Sequence, residues 1–224
     1  MKSSRPLVLL SAAASFVSLL ASSLTTDDRP LVFKVTSILL LAILGFRVNK
    51  LLGTALTFGA LGDFLLGVRH LGRFDAEKLF LFGLGAFLVG HLVYIAMFRK
   101  YRRPKTGKLG PARVLGILAV LIALGTNLVI LRDSLGPLLI PVIAYALVLA
   151  GMAVSALLAE LGNPLAAIGA MCFVASDAML AVSKFHGAFP GHEPLIWITY
   201  YLAQLLIFLG VTRRTVPSKI DVHP

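Results

Sequence analysis

Apolar residues run along this chain in eight blocks close to twenty residues long, at roughly 7 to 24, 30 to 46, 51 to 68, 79 to 98, 112 to 131, 136 to 158, 164 to 184 and 194 to 212. A helix of about twenty residues, rising about 1.5 Å per residue, crosses the hydrocarbon layer of a bilayer. The blocks are continuous, whereas barrel strands alternate over about ten residues, and hydrocarbon leaves no backbone amide unpaired, so the spans are helices. The pattern predicts an all-α fold: an integral membrane bundle of eight transmembrane helices forming one domain over residues 1–224. The longest connections, RHLGRFDAEK, RKYRRPKTGK and SKFHGAFPGHEP, are too short to bury a core of their own. No soluble domain is expected.

Composition agrees with that pattern. Of 224 residues, 58% are hydrophobic and 14% charged, with a mean hydropathy of +0.91, which excludes an ordinary soluble domain. A net charge of +11 would point a soluble protein toward nucleic acid, but here the charge follows the spans. With the N-terminus on the cytoplasmic side, Lys2, Arg5, Arg47, Lys50, the cluster Arg99 to Lys108, Arg113, Arg213, Arg214 and Lys219 fall inside. Only Arg29, Arg69, Arg73, Lys78, Arg132 and Lys184 fall outside. This positive-inside distribution places both termini in the cytoplasm and the chain in a bacterial inner membrane, with the bilayer and not nucleic acid as its partner. The first block, preceded by Lys2 and Arg5, also has the form of a signal peptide, but it continues to Leu24 without an A-x-A site and is read as a span. Cys172 is the lone cysteine, so there is neither a disulfide framework nor a cysteine-based metal site.

Polar residues inside the spans are the exceptions that need a reason, because a charge near the bilayer centre costs about 2.5 to 3.5 kcal/mol on insertion scales. They are Lys34, Asp63, His91, Tyr94, Asn127, Tyr145, Ser176, Asp177, Tyr200, Tyr201 and Gln204. Counted from the outer end at about 1.5 Å per residue, Lys34 lies about 6 Å deep, Asp63 about 8 Å, Tyr200 and Tyr201 about 10 Å, Asp177 about 11 Å and His91 about 18 Å. Two acids, two bases and two phenols from five spans thus lie between the outer surface and a little past the midplane, where they can line one pocket open to the exterior. Lys34 also has a snorkelling explanation, the tyrosines a packing one, and Asn127 reads best as glue between helices. Asp63 and Asp177 resist such readings: neither sits at a span end, and Gly62 and Ser176 beside them allow close backbone packing. The segments GALGDFLLG and CFVASDAML share a small-Asp-x-x-Leu core four spans apart, the signature of a parallel four-plus-four repeat that brings both acids to equivalent depths around one cavity.

At these residues the chain resembles the lysoplasmalogenase family of YhhN-like membrane hydrolases. The resemblance covers about residues 27 to 212 and rests on RPLVFK, GALGDFLLG, GAFLVGHLVYIAMF, YALVLAGM, GAMCFVASDAMLAVSKF and TYYLAQLLI, in that order. It departs from the family where Val35, rather than proline, follows Lys34. The resemblance implies hydrolysis of the vinyl ether of a lysophospholipid to a fatty aldehyde and a glycerophospho-ethanolamine or glycerophosphocholine, with no cofactor and no metal. Such an ether is cleaved by protonating its β carbon, which requires an acid and a nearby carboxylate. A carboxyl group held away from water keeps its proton more readily, so hydrocarbon suits an acid catalyst. Asp63 and Asp177 are therefore the expected acid and base, in either order, with His91 beside them. Tyr94, Tyr200 and Tyr201 orient water or substrate, Lys34 meets the phosphate, and Tyr145, Ser176 and Gln204 complete the substrate-binding set.

Two other classes use the same residues. A metal-dependent lipid hydrolase would ligate zinc through Asp63, His91 and Asp177, though no H-E-x-x-H spacing is present. A proton-coupled or small-solute transporter would use the buried acids as relays and needs a path to the inner side, where Glu160 is the main polar residue.

Overall fold

The computed structural model describes residues 5–24, 29–68, 75–102 and 109–214. Lys2, Arg69, Arg73, Arg103, Lys105, Lys108 and Lys219 of the charge pattern lie outside the described residues. Eight α-helices are present among those described: α1 (Arg5–Leu24), α2 (Arg29–Val48), α3 (Lys50–Val68), α4 (Ala76–Arg99), α5 (Pro111–Leu131), α6 (Leu139–Leu158), α7 (Leu165–Phe185) and α8 (His192–Thr212). Seven of them, α2 to α8, are long and apolar enough to cross a membrane, whereas α1 offers the shorter apolar stretch Pro6–Leu20. The chain is an integral membrane protein. Its surface shows why: Leu115, Ile122 and Val129, spaced by seven residues on α5, are each 66% exposed, while His91 and Gln204 are each 1% exposed. Apolar side chains face outward and polar ones inward, the reverse of a soluble bundle.

Local chemistry sets the helix ends. Asp75 caps α4, its carboxylate accepting from the backbone N–H groups of Glu77 at 3.0 Å and Lys78 at 3.2 Å. Pro111 opens α5 at a position where its missing N–H costs nothing. Between α5 and α6 the chain makes two 3₁₀ turns, Arg132–Ser134 and Gly136–Leu138. Gly136 has φ +47°, a left-handed conformation, so α6 begins at Leu139 and not at the expected residue 136.

Helices α1 to α4 pack each against the next; α4 then packs on α6 and not chiefly on α5, which lies against α6 and α7. The α7–α8 pair is the most extensive, and α8 returns to α2 and α1. Successive helices run in opposite directions. One end of the bundle carries the bond from Asn49 to Tyr101 at 2.8 Å and the Arg113–Glu160 ion pair at 2.7 Å. The other carries Lys34 over Trp197 and the edge-to-face pair Phe80–Phe185.

Glycines let α7 and α8 approach backbone to backbone. A Cβ on Gly210 would stand 2.5 Å from the Ala166 nitrogen, and one on Gly169 would stand 2.8 Å from the Ala203 carbonyl oxygen. Gly210→Ala is therefore expected to destabilise the bundle by about 1–3 kcal/mol through overpacking. Thermal unfolding in detergent checks this, with Gly125→Ala, where nothing lies within 4 Å, as the neutral control.

Candidate active site

Five helices deliver polar side chains to the interior. From α7, Asp177 points toward α6 and α4, its side chain 11% exposed. The Tyr145 hydroxyl on α6 donates a hydrogen bond to Asp177 Oδ2. On α4, His91 Nε2 lies 3.1 Å from the same hydroxyl and 3.7 Å from Asp177 Oδ2. Because the tyrosine gives its proton to the carboxylate, its oxygen accepts from His91 Nε2–H, while His91 Nδ1 is buried with no hydrogen-bond partner among the described residues. The ring of Phe173 packs against the imidazole with centroids 4.6 Å apart. Asp177, Tyr145 and His91 thus form one hydrogen-bonded group.

A second group surrounds Asp63 on α3. Tyr94 on α4 donates to Gln204 Oε1 at 2.6 Å, and Gln204 Nε2 donates to the Tyr200 hydroxyl at 3.1 Å, both from α8. Tyr200 in turn hydrogen-bonds the Asp63 carboxyl. Each amide and hydroxyl has one arrangement that satisfies its neighbours, so the order Tyr94, Gln204, Tyr200, Asp63 fixes the direction of donation. Asp63 Oδ2 remains buried with no hydrogen-bond partner among the described residues. Gly59 makes room for this group, since a Cβ there would lie 2.6 Å from Gln204 Nε2 and 3.0 Å from the Tyr200 oxygen. The Lys34 ammonium acts electrostatically on Asp63 and on Glu193, and lies 5.2 Å from the Trp197 ring centroid.

Phe87 and Phe173 stand between the two groups. Phe87 meets Tyr200 edge to face at 5.7 Å and Phe173 at 6.5 Å, and it fills the notch over Gly62, next to Asp63. The two carboxyl groups are still near enough to influence each other electrostatically. Phe87 also walls an apolar cleft between α4, α5, α6 and α7, in which Asp177, Tyr145 and Asn127 are the polar residues. That cleft, with a cavity volume of about 60 Å³, has room for water beside Asp177 and otherwise presents Leu, Val, Ala and Phe side chains.

The sequence-predicted residues therefore divide. His91, Tyr145 and Asp177 come together at the cleft, while Tyr94, Tyr200 and Gln204 come together at Asp63 with Lys34 nearby. Tyr201 turns the other way, its hydroxyl 2.9 Å from Ser11 on α1. Ser176 donates to the Ile196 carbonyl at 3.0 Å and ties α7 to α8. Asn127 donates to the Ala178 carbonyl at 3.2 Å, joining α5 to α7. Among the described residues no three His, Cys, Asp or Glu side chains gather as metal ligands would; Asp63 stands apart from His91 and Asp177. Glu160 is paired with Arg113. Phe87, Phe173 and Trp197, which shape the site, escaped the sequence reading because an apolar ring in an apolar span carries no signal of its own.

The model of the YhhN family matches residues 30–211, which contain every residue of both groups. The chain belongs to the YhhN family. Within reach of this YhhN-family chain are curated relatives called lysoplasmalogenase in Mycobacterium bovis and Mycobacterium tuberculosis, each 37% identical over 169 residues, 73% of this chain and 61% of the relative. The human protein called lysoplasmalogenase TMEM86B is 33% identical over 171 residues, 76% of this chain and 67% of its own. The chain thus spans about three fifths of the length of the two mycobacterial relatives. No solved structure matches this YhhN-family chain.

Proposed function

We propose that this chain is a lysoplasmalogenase: a membrane hydrolase of one domain that cleaves the vinyl ether of a lysophospholipid, releasing a fatty aldehyde and a glycerophospho-ethanolamine or glycerophosphocholine. The observation that carries this reading is the pair of carboxyl groups, one on α3 and one on α7, each largely enclosed in the bundle and hydrogen-bonded by a tyrosine. The relatives' names point to the same substrate.

The chemistry divides between the two groups. Asp177 receives the Tyr145 hydroxyl and has His91 beside it, so it is the carboxylate that holds the positive charge of the oxocarbenium ion and steers water. Asp63, with Oδ2 facing no donor, transfers its proton to the β carbon of the vinyl ether. The charge left on Asp63 is then met by the Tyr200 hydroxyl and the Lys34 ammonium. Water adds to the α carbon, loses its proton to Asp177, and the hemiacetal collapses to aldehyde and alcohol. One water is consumed, and both carboxyls regain their starting forms once a proton passes from Asp177 back to Asp63 through water. The apolar cleft takes the vinyl ether end of the hydrocarbon chain, the rest lying in the bilayer, and the substrate reaches Asp63 when the Phe87 ring swings from between the two groups.

We infer an internal four-plus-four repeat that matches this division. Asp63 is met by Lys34 from α2 and Tyr200 from α8; four helices on, Asp177 is met by Tyr145 from α6 and His91 from α4. The packing of α4 on α6 has its counterpart in α8 on α2. The orientation we infer has all eight helices crossing, both termini cytoplasmic in an inner membrane and the acids in the outer half.

The test is incubation of purified protein with alkenyl, alkyl and acyl lysolipids of matched length. Aldehyde from the alkenyl lipid alone is the expected result; fatty acid from the acyl lipid, with no aldehyde, would overturn the reading.

A further inference from the structure

The cleft beside Asp177 ends in a feature that the mechanism does not use. Phe80 on α4 and Phe185 on α7 both wall the cleft, their rings edge to face with centroids 5.8 Å apart. The Lys184 ammonium stands 5.2 Å from the Phe80 ring centroid, at the end of α7. Lys184 is seven residues beyond Asp177, two helical turns, so the two Cα atoms share a face of α7 about 10 Å apart along its axis. Among the described residues the neighbouring cations are occupied: Lys78 pairs with Asp75 at 3.5 Å and Arg132 with Asp133 at 3.4 Å. Lys34 shares the fields of Asp63 and Glu193. Lys184 is exposed and, among the described residues, has no carboxylate partner.

We propose that Lys184 binds the phosphate of a lysophospholipid whose hydrocarbon chain enters the α4–α7 cleft by its ether end. This rests on the lipid-hydrolase reading and names a headgroup contact different from the Lys34 contact expected from the sequence. In a lysolipid only the three-carbon glycerol unit separates the chain-bearing oxygen from the phosphate, and glycerol plus a lysine side chain spans the distance from the Asp177 end of the cleft to its rim. An ammonium at the membrane boundary, already partly desolvated over an aromatic ring, keeps its hydrogen-bond donors for an anion. A lysine in the last turn of a helix also complements the helix dipole. The test must therefore read phosphate recognition and not stability.

Binding of an uncleavable 1-alkyl lysophosphatidylethanolamine and of the matching 1-alkylglycerol, which lacks phosphate, is measured on the full chain in detergent. The native protein should bind the phospholipid more tightly. Lys184→Gln should weaken it about tenfold, the lower range for a hydrogen bond to a charged group, and leave alkylglycerol binding unchanged, while Lys184→Arg retains the preference. Equal affinity of the native protein for both ligands, an equal loss for both in Lys184→Gln, or a selective loss in Lys34→Gln but not Lys184→Gln would each overturn the assignment. Because nothing is cleaved, phosphate-selective binding without aldehyde release in the separate turnover assay would count against the hydrolase reading alone.

Discussion

Asp177→Asn and Asp63→Asn should each lower turnover of an alkenyl lysolipid by about 10²- to 10⁴-fold, the usual cost of removing a general acid or base, while the protein stays folded. The substitution nearly preserves volume, and at either position the amide oxygen still accepts the tyrosine hydrogen bond, from Tyr145 at position 177 or Tyr200 at position 63. What is lost is the transferable proton at 63 and the negative charge at 177. Steady-state aldehyde release, alongside a thermal melt, separates lost chemistry from lost fold. Activity within a fewfold of native in either variant would remove that residue from the proton-transfer scheme.

The next largest effect belongs to Tyr145. Its hydroxyl is the one group among the described residues bonded to both His91 and Asp177, and Tyr145→Phe leaves His91 Nε2 at 3.7 Å from the carboxylate. A hydrogen bond to a charged group is worth about 1.5–3 kcal/mol, so kcat should fall about 10- to 100-fold. Tyr201→Phe is the informative contrast. That hydroxyl meets Ser11 and not an acid, so kcat should remain near native. An equal loss in both variants would mean that the phenols act on the fold and not through Asp177.

These two tyrosines mark the boundary of what the sequence discloses. Seven spans, α2 to α8, were legible because hydrocarbon demands about twenty apolar residues per helix, and the helices begin and end within a few residues of the expected points. The acids were legible because a carboxyl group in such a run has no cheap structural excuse. The facing of each polar group was not. Tyr200 and Tyr201 have the same depth, but adjacent residues point about 100° apart on a helix of about 3.6 residues per turn, and only packing decides which one meets Asp63. His91 and Tyr94 share a face of α4 yet join different groups, because α6 approaches one and α8 the other. The cleft depends on α4 packing against α6 past its sequence neighbour α5, a non-local choice that periodicity does not encode. The same choice brings Phe87 between the acids, in place of the single open pocket that depth alone suggested.

The central claim is that a carboxyl proton of this protein is delivered to carbon. Turnover in deuterium oxide tests it most directly, with aldehyde trapped within the first seconds, before enolisation exchanges the same position. Protonation of the vinyl ether predicts one deuterium on the carbon next to the aldehyde carbonyl in every product molecule, and a rate slowed severalfold. Aldehyde formed at early times without that deuterium would contradict acid-catalysed cleavage, even if Asp63 and Asp177 proved indispensable.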